Sequence, residues 1–192
     1  TTFGVKAVLF YAGICQENVW KTMPQNTCEA RNINTFKRFQ VMTKILFICH
    51  GNICRSPMGE FVMKDLVKKA GLEDQFQIAS AATSTEEIGC PVYPPARRKL
   101  AEHGISCAGK TARQLTKADY ARYDLLVGMD RANIRNMNRI CGGDPEGKIK
   151  LLLDYTDRPG DVADPWYTGD FNATWRDVLE GCQGLLRSIT EK

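Results

Sequence analysis

The stretch that decides the fold is residues 43–71, TKILFICHGNICRSPMGEFVMKDLVKKAG. It opens with a short apolar run at residues 44–48, bounded by polar residues, which is typical of a buried parallel strand. Residues 56–70 carry apolar side chains at the spacing of one helix face, with a proline in the first turn and a glycine as the stop. The loop CHGNICRS, residues 49–56, lies between them. The stretch therefore predicts a strand, a tight loop and a helix.

The rest of the chain repeats this alternation. Further strands are predicted near residues 77–81, at 124–129 and near 149–153, and further helices near 95–102, around 117–123, at 131–140 and near 173–188. Strands that alternate with helices predict an α/β fold, with a parallel sheet and helices on both of its faces. Ligands of such sheets bind at the carboxyl ends of strands, so the loop after the first strand is the place to look for a site.

Composition and charge exclude several classes of protein. Of the 192 residues, 43% are hydrophobic and 25% are charged, which is the composition of a globular protein and not of a disordered one. No apolar run approaches the ~20 residues that a membrane-spanning helix needs. Residues 43–192 carry a net charge of only +1. We therefore expect neither a nucleic acid nor a membrane as a partner.

The first 42 residues differ from the rest. They carry a net charge of +3 and one short apolar run, at residues 5–15, and the segment that follows shows no sustained period of 2 or 3.6. We interpret residues 1–42 as a loosely ordered N-terminal extension. The folded domain is expected at residues 43–192.

The eight cysteines predict free thiols. They are scattered at positions 15, 28, 49, 54, 90, 107, 141 and 182. The chain contains no C-x-x-C pair and only two histidines, so the ligand cluster of a zinc site is absent from the sequence. Free thiols predict a reducing compartment, and we expect a cytoplasmic protein without a metal.

The loop after the first strand has the composition of an anion cradle. A loop that leaves a strand and enters a helix can point several backbone N–H groups at one tetrahedral anion. Gly51 and Asn52 tolerate the positive φ that such a loop often needs, and the planar fork of Arg55 can hold two phosphoryl oxygens. Because this arginine and the helix N-terminus favour a thiolate, Cys49 is the candidate nucleophile, and Ser56 can donate a hydrogen bond to it.

A second Cys-x5-Arg match runs from Cys107 to Arg113. It follows a predicted helix end, and no clear helix opens directly after it. We interpret it as a surface loop without a catalytic role.

A thiolate that accepts a phosphoryl group needs an acid for the leaving oxygen. Asp164 is the candidate, since it lies after the last predicted strand on a loop rich in proline and glycine. The neighbouring Trp166 and Tyr167 supply aromatic walls that can flank a flat substrate ring.

The loop CHGNICRS near the start of the domain and the sequence DPWY at residues 164–167 together resemble the low-molecular-weight protein tyrosine phosphatases. The resemblance spans about residues 43–190 and includes Asp130, which opens a predicted helix. It implies a single-domain, three-layer α/β/α fold around a mostly four-stranded parallel sheet of flavodoxin-like topology. It also implies hydrolysis of phosphotyrosine-bearing proteins or aryl phosphates, without metal or cofactor, by a monomer or weak homodimer.

The resemblance also implies a role for each site residue. Cys49 would become a phosphocysteine, Asp164 would act as acid and then as base, and Arg55 would stabilise charge in both steps. The phosphate would be bound by His50, Gly51, Asn52, Ile53, Cys54, Arg55 and Ser56. The loop would be held in shape by Asn52, Ser56 and Ser80, and the pocket wall would be formed by His50, Glu86, Trp166 and Tyr167. Cys54 resembles a second thiol that forms a disulfide with Cys49 under peroxide.

One residue departs from the pattern of the family, and two alternative functions remain. Lys110 stands where many relatives carry a histidine that braces the loop, so bracing here is expected to differ. An arsenate reductase shares this fold and loop but needs further cysteines to relay a disulfide, and here Cys90 and Cys107 lie 17 residues apart. A non-catalytic phosphate-binding module would lack a nucleophile or an acid, whereas this sequence has a candidate for each.

Overall fold

The computed structural model of the chain describes residues 42–191. Of the expected extension only Met42 falls within them, so the interpretation of residues 1–41 lies outside the described part. The strands are β1 (Thr43–Cys49), β2 (Phe76–Ala82), β3 (Leu125–Gly128) and β4 (Ile149–Leu151). The helices are α1 (Arg55–Lys69), α2 (Pro94–Glu102), α3 (Lys117–Arg122), α4 (Arg131–Cys141), α5 (Pro165–Thr168) and α6 (Phe171–Thr190). Within residues 42–191 no helix is long and apolar enough to cross a bilayer.

The four strands form one parallel sheet in the order β2-β1-β3-β4, which confirms the predicted fold. β1 is central, and it pairs with β2 on one side and with β3 on the other. The chain therefore changes direction across the sheet between β1 and β3. In parallel sheets this switch point opens a crevice at the carboxyl ends of the strands, which is where the loop after β1 begins.

Side chains of β1 alternate between two cores, because successive residues of a strand point to opposite faces. Ile45 and Phe47 belong to the core shared with α1, α2 and α6. Leu46 and Ile48 belong to the core shared with α3 and α4. All four side chains are fully buried, as expected for the central strand of a three-layer fold.

The largest difference from the predicted elements follows β4. Residues 149–153 were expected to be extended, but the strand ends at Leu151 and a 3-10 turn takes over at Leu152–Tyr155. Leu152 and Leu153 are both buried, and a turn lets consecutive apolar residues face the core together. A short apolar run does not distinguish these two conformations.

Helix α6 packs closely against this turn at a glycine. A Cβ added to Gly184 would lie 2.0 Å from the carbonyl oxygen of Tyr155. We expect Gly184→Ala to lower the free energy of unfolding by about 2 kcal/mol, because the steric cost of ~3 kcal/mol outweighs the ~1 kcal/mol gain in helix propensity. Urea unfolding measures the change. Gly160→Ala is the control, since no atom lies within 4 Å of its added Cβ, and an equal loss there would contradict this packing argument.

Candidate active site

The loop after β1 curls around the sulfur of Cys49. The backbone N–H of Asn52 donates to Cys49 Sγ at 3.3 Å, and Ser56 Oγ lies 3.1 Å from the same sulfur. Cys49 is 3% exposed and ends β1, while Arg55 begins α1. Negative charge on the sulfur is therefore stabilised by hydrogen bonds and by a helix N-terminus.

Asn52 holds the loop in its curled form. Its φ is +58°, the only positive φ of a non-glycine residue in the described part of the chain. Its side-chain amide donates to Ser56 Oγ at 2.9 Å and to Ser80 Oγ at 2.8 Å, and its Oδ1 accepts from the backbone N–H of Arg113 at 3.2 Å. These bonds stabilise a backbone conformation that costs about 1–3 kcal/mol for a residue with a side chain. Gly51, in contrast, has no positive φ.

A buried ion pair supports the loop from behind. Ser80 Oγ donates to Glu60 Oε2 at 2.6 Å, and the ammonium of Lys110 lies 3.3 Å from the same oxygen. Lys110 also donates to the carbonyl oxygen of Ser80 at 3.1 Å. Burial lowers the pKa of Lys110 below its ordinary value, although Glu60 opposes this shift. The amine of Lys110 thus contacts Ser80, which in turn contacts Asn52.

Arg55 lies between two carboxylates. Its Nη1 donates to Asp130 Oδ2 at 2.7 Å, and its Nη2 lies 2.6 Å from Asp164 Oδ2. Arg55 is 4% exposed, and burial disfavours its charge. The negative groups of Cys49, Asp164 and Asp130 outweigh that cost, so the pKa of Arg55 lies above its ordinary value. The guanidinium is thereby fixed in place and charged beside the sulfur.

Asp164 is positioned by the short helix α5. As its N-cap, Asp164 accepts from the Trp166 N–H at 3.0 Å through Oδ1, and Pro165 occupies the first helical position. The second oxygen, Oδ2, remains for the contact with Arg55. The sequence predicted a loop rich in proline and glycine here, and the structure forms the short helix α5 within it. The position of Asp164 at the start of this helix explains how its carboxylate is directed into the site.

The pocket has a volume of about 240 Å³ and is open to solvent on one side. This volume is below the ~300–1,000 Å³ of pockets that hold drug-sized ligands, so the pocket suits a single side chain. Its lining residues are Cys49, His50, Gly51, Ile53, Cys54, Arg55, Glu86, Glu87, Asp164, Trp166 and Tyr167. Asn52, Ser56 and Ser80 lie behind this surface, where they support the loop.

Two pairs of side chains form the mouth of the pocket. Trp166 and Tyr167 are 60% and 86% exposed, so both rings are free to contact a substrate. His50 and Glu86 also line the pocket, and His50 Nε2 lies 2.9 Å from Glu86 Oε2. The hydrogen bond from His50 holds the pKa of Glu86 below its ordinary value.

Comparisons with known proteins bear on the family of the chain. The family model described as low molecular weight phosphotyrosine protein phosphatase matches residues 44–192. The Bacillus subtilis low molecular weight protein-tyrosine-phosphatase YfkJ is 39% identical over 153 residues, which are 79% of this chain and 98% of YfkJ. The chain belongs to the low-molecular-weight protein tyrosine phosphatase family.

A mammalian relative and a solved structure also match the chain. The pig low molecular weight phosphotyrosine protein phosphatase is 37% identical over 155 residues, 78% of this chain and 98% of the pig protein. The crystal structure of YfkJ superposes with a TM-score of 0.76 and covers 78% of this chain and 96% of its own. By homology the protein is a protein tyrosine phosphatase, and the family implies phosphotyrosine substrates.

The second Cys-x5-Arg match of this phosphatase is a loop with Ala108, Gly109 and Thr111 exposed, as the sequence predicted, but both of its ends are anchored. Cys107 is 5% exposed and packs in the core with α2. Arg113 pairs with Asp119 at 3.0 Å, and its backbone N–H donates to Asn52. This segment is therefore a structural support of the phosphate loop.

Two residues of the site were missed by sequence reasoning, which assigned no role to Asp130 or Glu60. Asp130 follows β3, the neighbour of β1, and caps α4 by accepting from the Asn133 N–H at 2.6 Å. Its position at the carboxyl end of a predicted strand could have identified it as a candidate site residue. Glu60 follows Ser56 by one helical turn on the buried face of α1, where an acidic residue needs a partner.

Proposed function

We propose that this phosphatase hydrolyses phosphotyrosine and aryl phosphates through a phosphocysteine on Cys49, with Asp164 as general acid and then general base. One observation carries the proposal. The Cys49 sulfur, the Arg55 guanidinium and the Asp164 carboxylate line a single pocket, and Asp164 contacts Arg55 at 2.6 Å. A nucleophile, an anion clamp and an acid thus lie within reach of one phosphoryl group.

In the first step the Cys49 thiolate attacks phosphorus and forms a sulfur–phosphorus bond. The bond from phosphorus to the tyrosine oxygen breaks, and the leaving oxygen takes a proton from Asp164. Arg55 and the N–H groups of the loop bind the equatorial oxygens, where negative charge is spread in the transition state. The contact of Asp130 with Arg55 keeps the guanidinium oriented throughout.

In the second step Asp164, now a carboxylate, takes a proton from water. The water oxygen attacks phosphorus, the sulfur–phosphorus bond breaks, and Cys49 returns to its thiolate. Inorganic phosphate leaves. The hydrogen bonds from Asn52 and Ser56 stabilise the sulfur as a leaving group because they favour its charged form.

The side chains that line the pocket favour an aromatic substrate. Ile53 lines the pocket with apolar surface, and the exposed Trp166 and Tyr167 rings stand at its mouth. A phenyl ring gains apolar contact in such a cleft, whereas the short side chain of phosphoserine places its backbone against the rim. We expect hydrolysis of a phosphotyrosine peptide in EDTA, inhibition by vanadate, and little turnover of the matched phosphoserine peptide. Equal turnover of both peptides would contradict the assignment.

Reversible oxidation is proposed for the second thiol of the loop. Burial, together with the charges of Cys49 and Asp164, raises the pKa of Cys54 to about 12, so Cys54 stays protonated while Cys49 reacts. Peroxide would convert the Cys49 thiolate into a sulfenic acid. Attack by Cys54 sulfur would release water and leave a Cys49–Cys54 disulfide, which dithiothreitol reduces.

We therefore expect Cys54→Ser to lose most of the activity that dithiothreitol restores after peroxide, because the sulfenic acid oxidises further to a form that thiols do not reduce. Cys90→Ser is the matched control, since Cys90 packs against the cluster of Ile53, Cys54 and Ala112 but lies outside the loop. Recovery of Cys54→Ser equal to that of the unchanged protein would disprove the role of Cys54. Turnover of arsenate coupled to thioredoxin would favour the reductase alternative instead.

A further inference from the structure

A second groove lies next to the catalytic pocket, and the two share one lining side chain. It has a volume of about 480 Å³, and Trp166 lines both this groove and the catalytic pocket. Its floor is aromatic: the Tyr93 and Trp166 ring centroids lie 5.6 Å apart, and those of Tyr93 and Phe171 lie 6.2 Å apart. A polypeptide held by a phosphotyrosine in the pocket would have its neighbouring residues over this floor, since each extended residue spans only ~3.3 Å.

One charge borders the groove. Arg98, on the exposed face of α2, lines it, and no acidic residue of the described part of the chain does. Among residues 42–191 no carboxylate forms an ion pair with Arg98. The acidic neighbour Glu102 is instead paired with Lys99. The positive charge at the end of this apolar floor is thus available to a ligand.

The catalytic pocket carries charge of the opposite sign. Glu86 and Glu87 line it, and neither lines the groove. A substrate segment with acidic residues would meet repulsion beside these two glutamates and attraction beside Arg98. The two sets of charges therefore distinguish the ways in which a polypeptide can leave the pocket.

We propose that the groove formed by Tyr93, Arg98, Trp166 and Phe171 is a substrate subsite. It binds the segment of a phosphotyrosine polypeptide next to the phosphorylated residue, with an apolar side chain on the aromatic floor and an acidic side chain at Arg98. The inference rests on the proposed phosphotyrosine hydrolysis. It adds a sequence preference that the catalytic residues do not supply.

The test uses paired phosphotyrosine peptides in which one flanking position, scanned on both sides, is Asp or Lys. We expect at least one position at which kcat/KM for the Asp peptide exceeds that for the Lys peptide by about three- to tenfold at low salt, since an exposed ion pair contributes modestly. The preference should shrink in 0.5 M salt to about twofold or less, because exposed charges are screened. Arg98→Glu should abolish or reverse it.

Arg97→Glu is the matched control. Arg97 is the adjacent exposed residue of α2, carries the same charge and does not line the groove. Both variants should hydrolyse p-nitrophenyl phosphate like the unchanged protein, because that substrate does not reach Arg98. The subsite is disproved if no position prefers Asp, or if Arg97→Glu removes the preference as fully as Arg98→Glu. Failure of the unchanged protein to hydrolyse any peptide or aryl phosphate would instead refute the proposed function.

Discussion

Cys49→Ser is expected to lower turnover of a phosphotyrosine peptide by about 10⁵-fold, the scale seen when a catalytic nucleophile is removed. A serine hydroxyl stays protonated at neutral pH, and within residues 42–191 the hydrogen-bond partners of this position are Ser56 Oγ and the Asn52 N–H, neither of which is a general base. The anion cradle itself is unchanged by the substitution. The variant should therefore still bind phosphate and peptide while it fails to hydrolyse them.

The matched control is Cys107→Ser, which makes the same change in the second Cys-x5-Arg match. Cys107 is buried in the core, so this variant should lose stability but keep turnover per folded molecule within about twofold. Steady-state assays on both variants, normalised to the folded fraction by circular dichroism, measure the difference. Comparable losses of turnover in the two variants would refute the assignment of Cys49 as nucleophile.

Asp164→Asn is expected to lower kcat/KM for a phosphotyrosine peptide by about 10³-fold and for p-nitrophenyl phosphate by only about tenfold. Tyrosine oxygen is a poor leaving group and needs the proton that Asp164 supplies, whereas nitrophenolate leaves without one. Asparagine keeps the N-cap, because its Oδ1 can still accept from the Trp166 N–H. Any loss from weaker contact with Arg55 should affect both substrates alike. The ratio of the two losses in kcat/KM therefore measures the contribution of the transferred proton.

Asp170→Asn is the control on the same loop. Asp170 caps α6 by accepting from the Asn172 and Ala173 N–H groups, both at 2.9 Å, and does not line the pocket. This variant should retain activity on both substrates. Equal losses on the two substrates in Asp164→Asn would remove Asp164 from the role of acid and leave it as a partner of Arg55 alone.

Most of the fold was predictable because its signals are local. The apolar run before Cys49 and the amphipathic helix after it placed β1 and α1 to within about one residue of their observed bounds. The alternation of strand and helix then required a parallel sheet. The turn at Leu152–Tyr155 escaped prediction, because its shape depends on packing against Gly181 and Gly184 of α6, far along the chain.

The same distinction applies to the site. Residues of one loop, such as Cys49 and Arg55, can be assigned from their spacing together with the strand before the loop and the helix after it. The contact of Arg55 with Asp130 joins residues 75 apart, and that of Lys110 with Glu60 joins residues 50 apart. No local pattern specifies which of 22 acidic residues faces a given cation. Such partners become visible only once the sheet has brought the strand ends together.

The central claim is that the phosphoryl group passes through the Cys49 sulfur. Asp164→Asn should accumulate this intermediate with p-nitrophenyl phosphate. Nitrophenolate leaves in the first step without a proton from residue 164, whereas the second step has lost the carboxylate that takes a proton from water. Acid quench, digestion and tandem mass spectrometry then locate the phosphorus. We predict phosphate on Cys49 in Asp164→Asn and none on the protein in Cys49→Ser. Phosphate on another residue, or a burst of nitrophenol with no phosphorylated protein, would contradict the account.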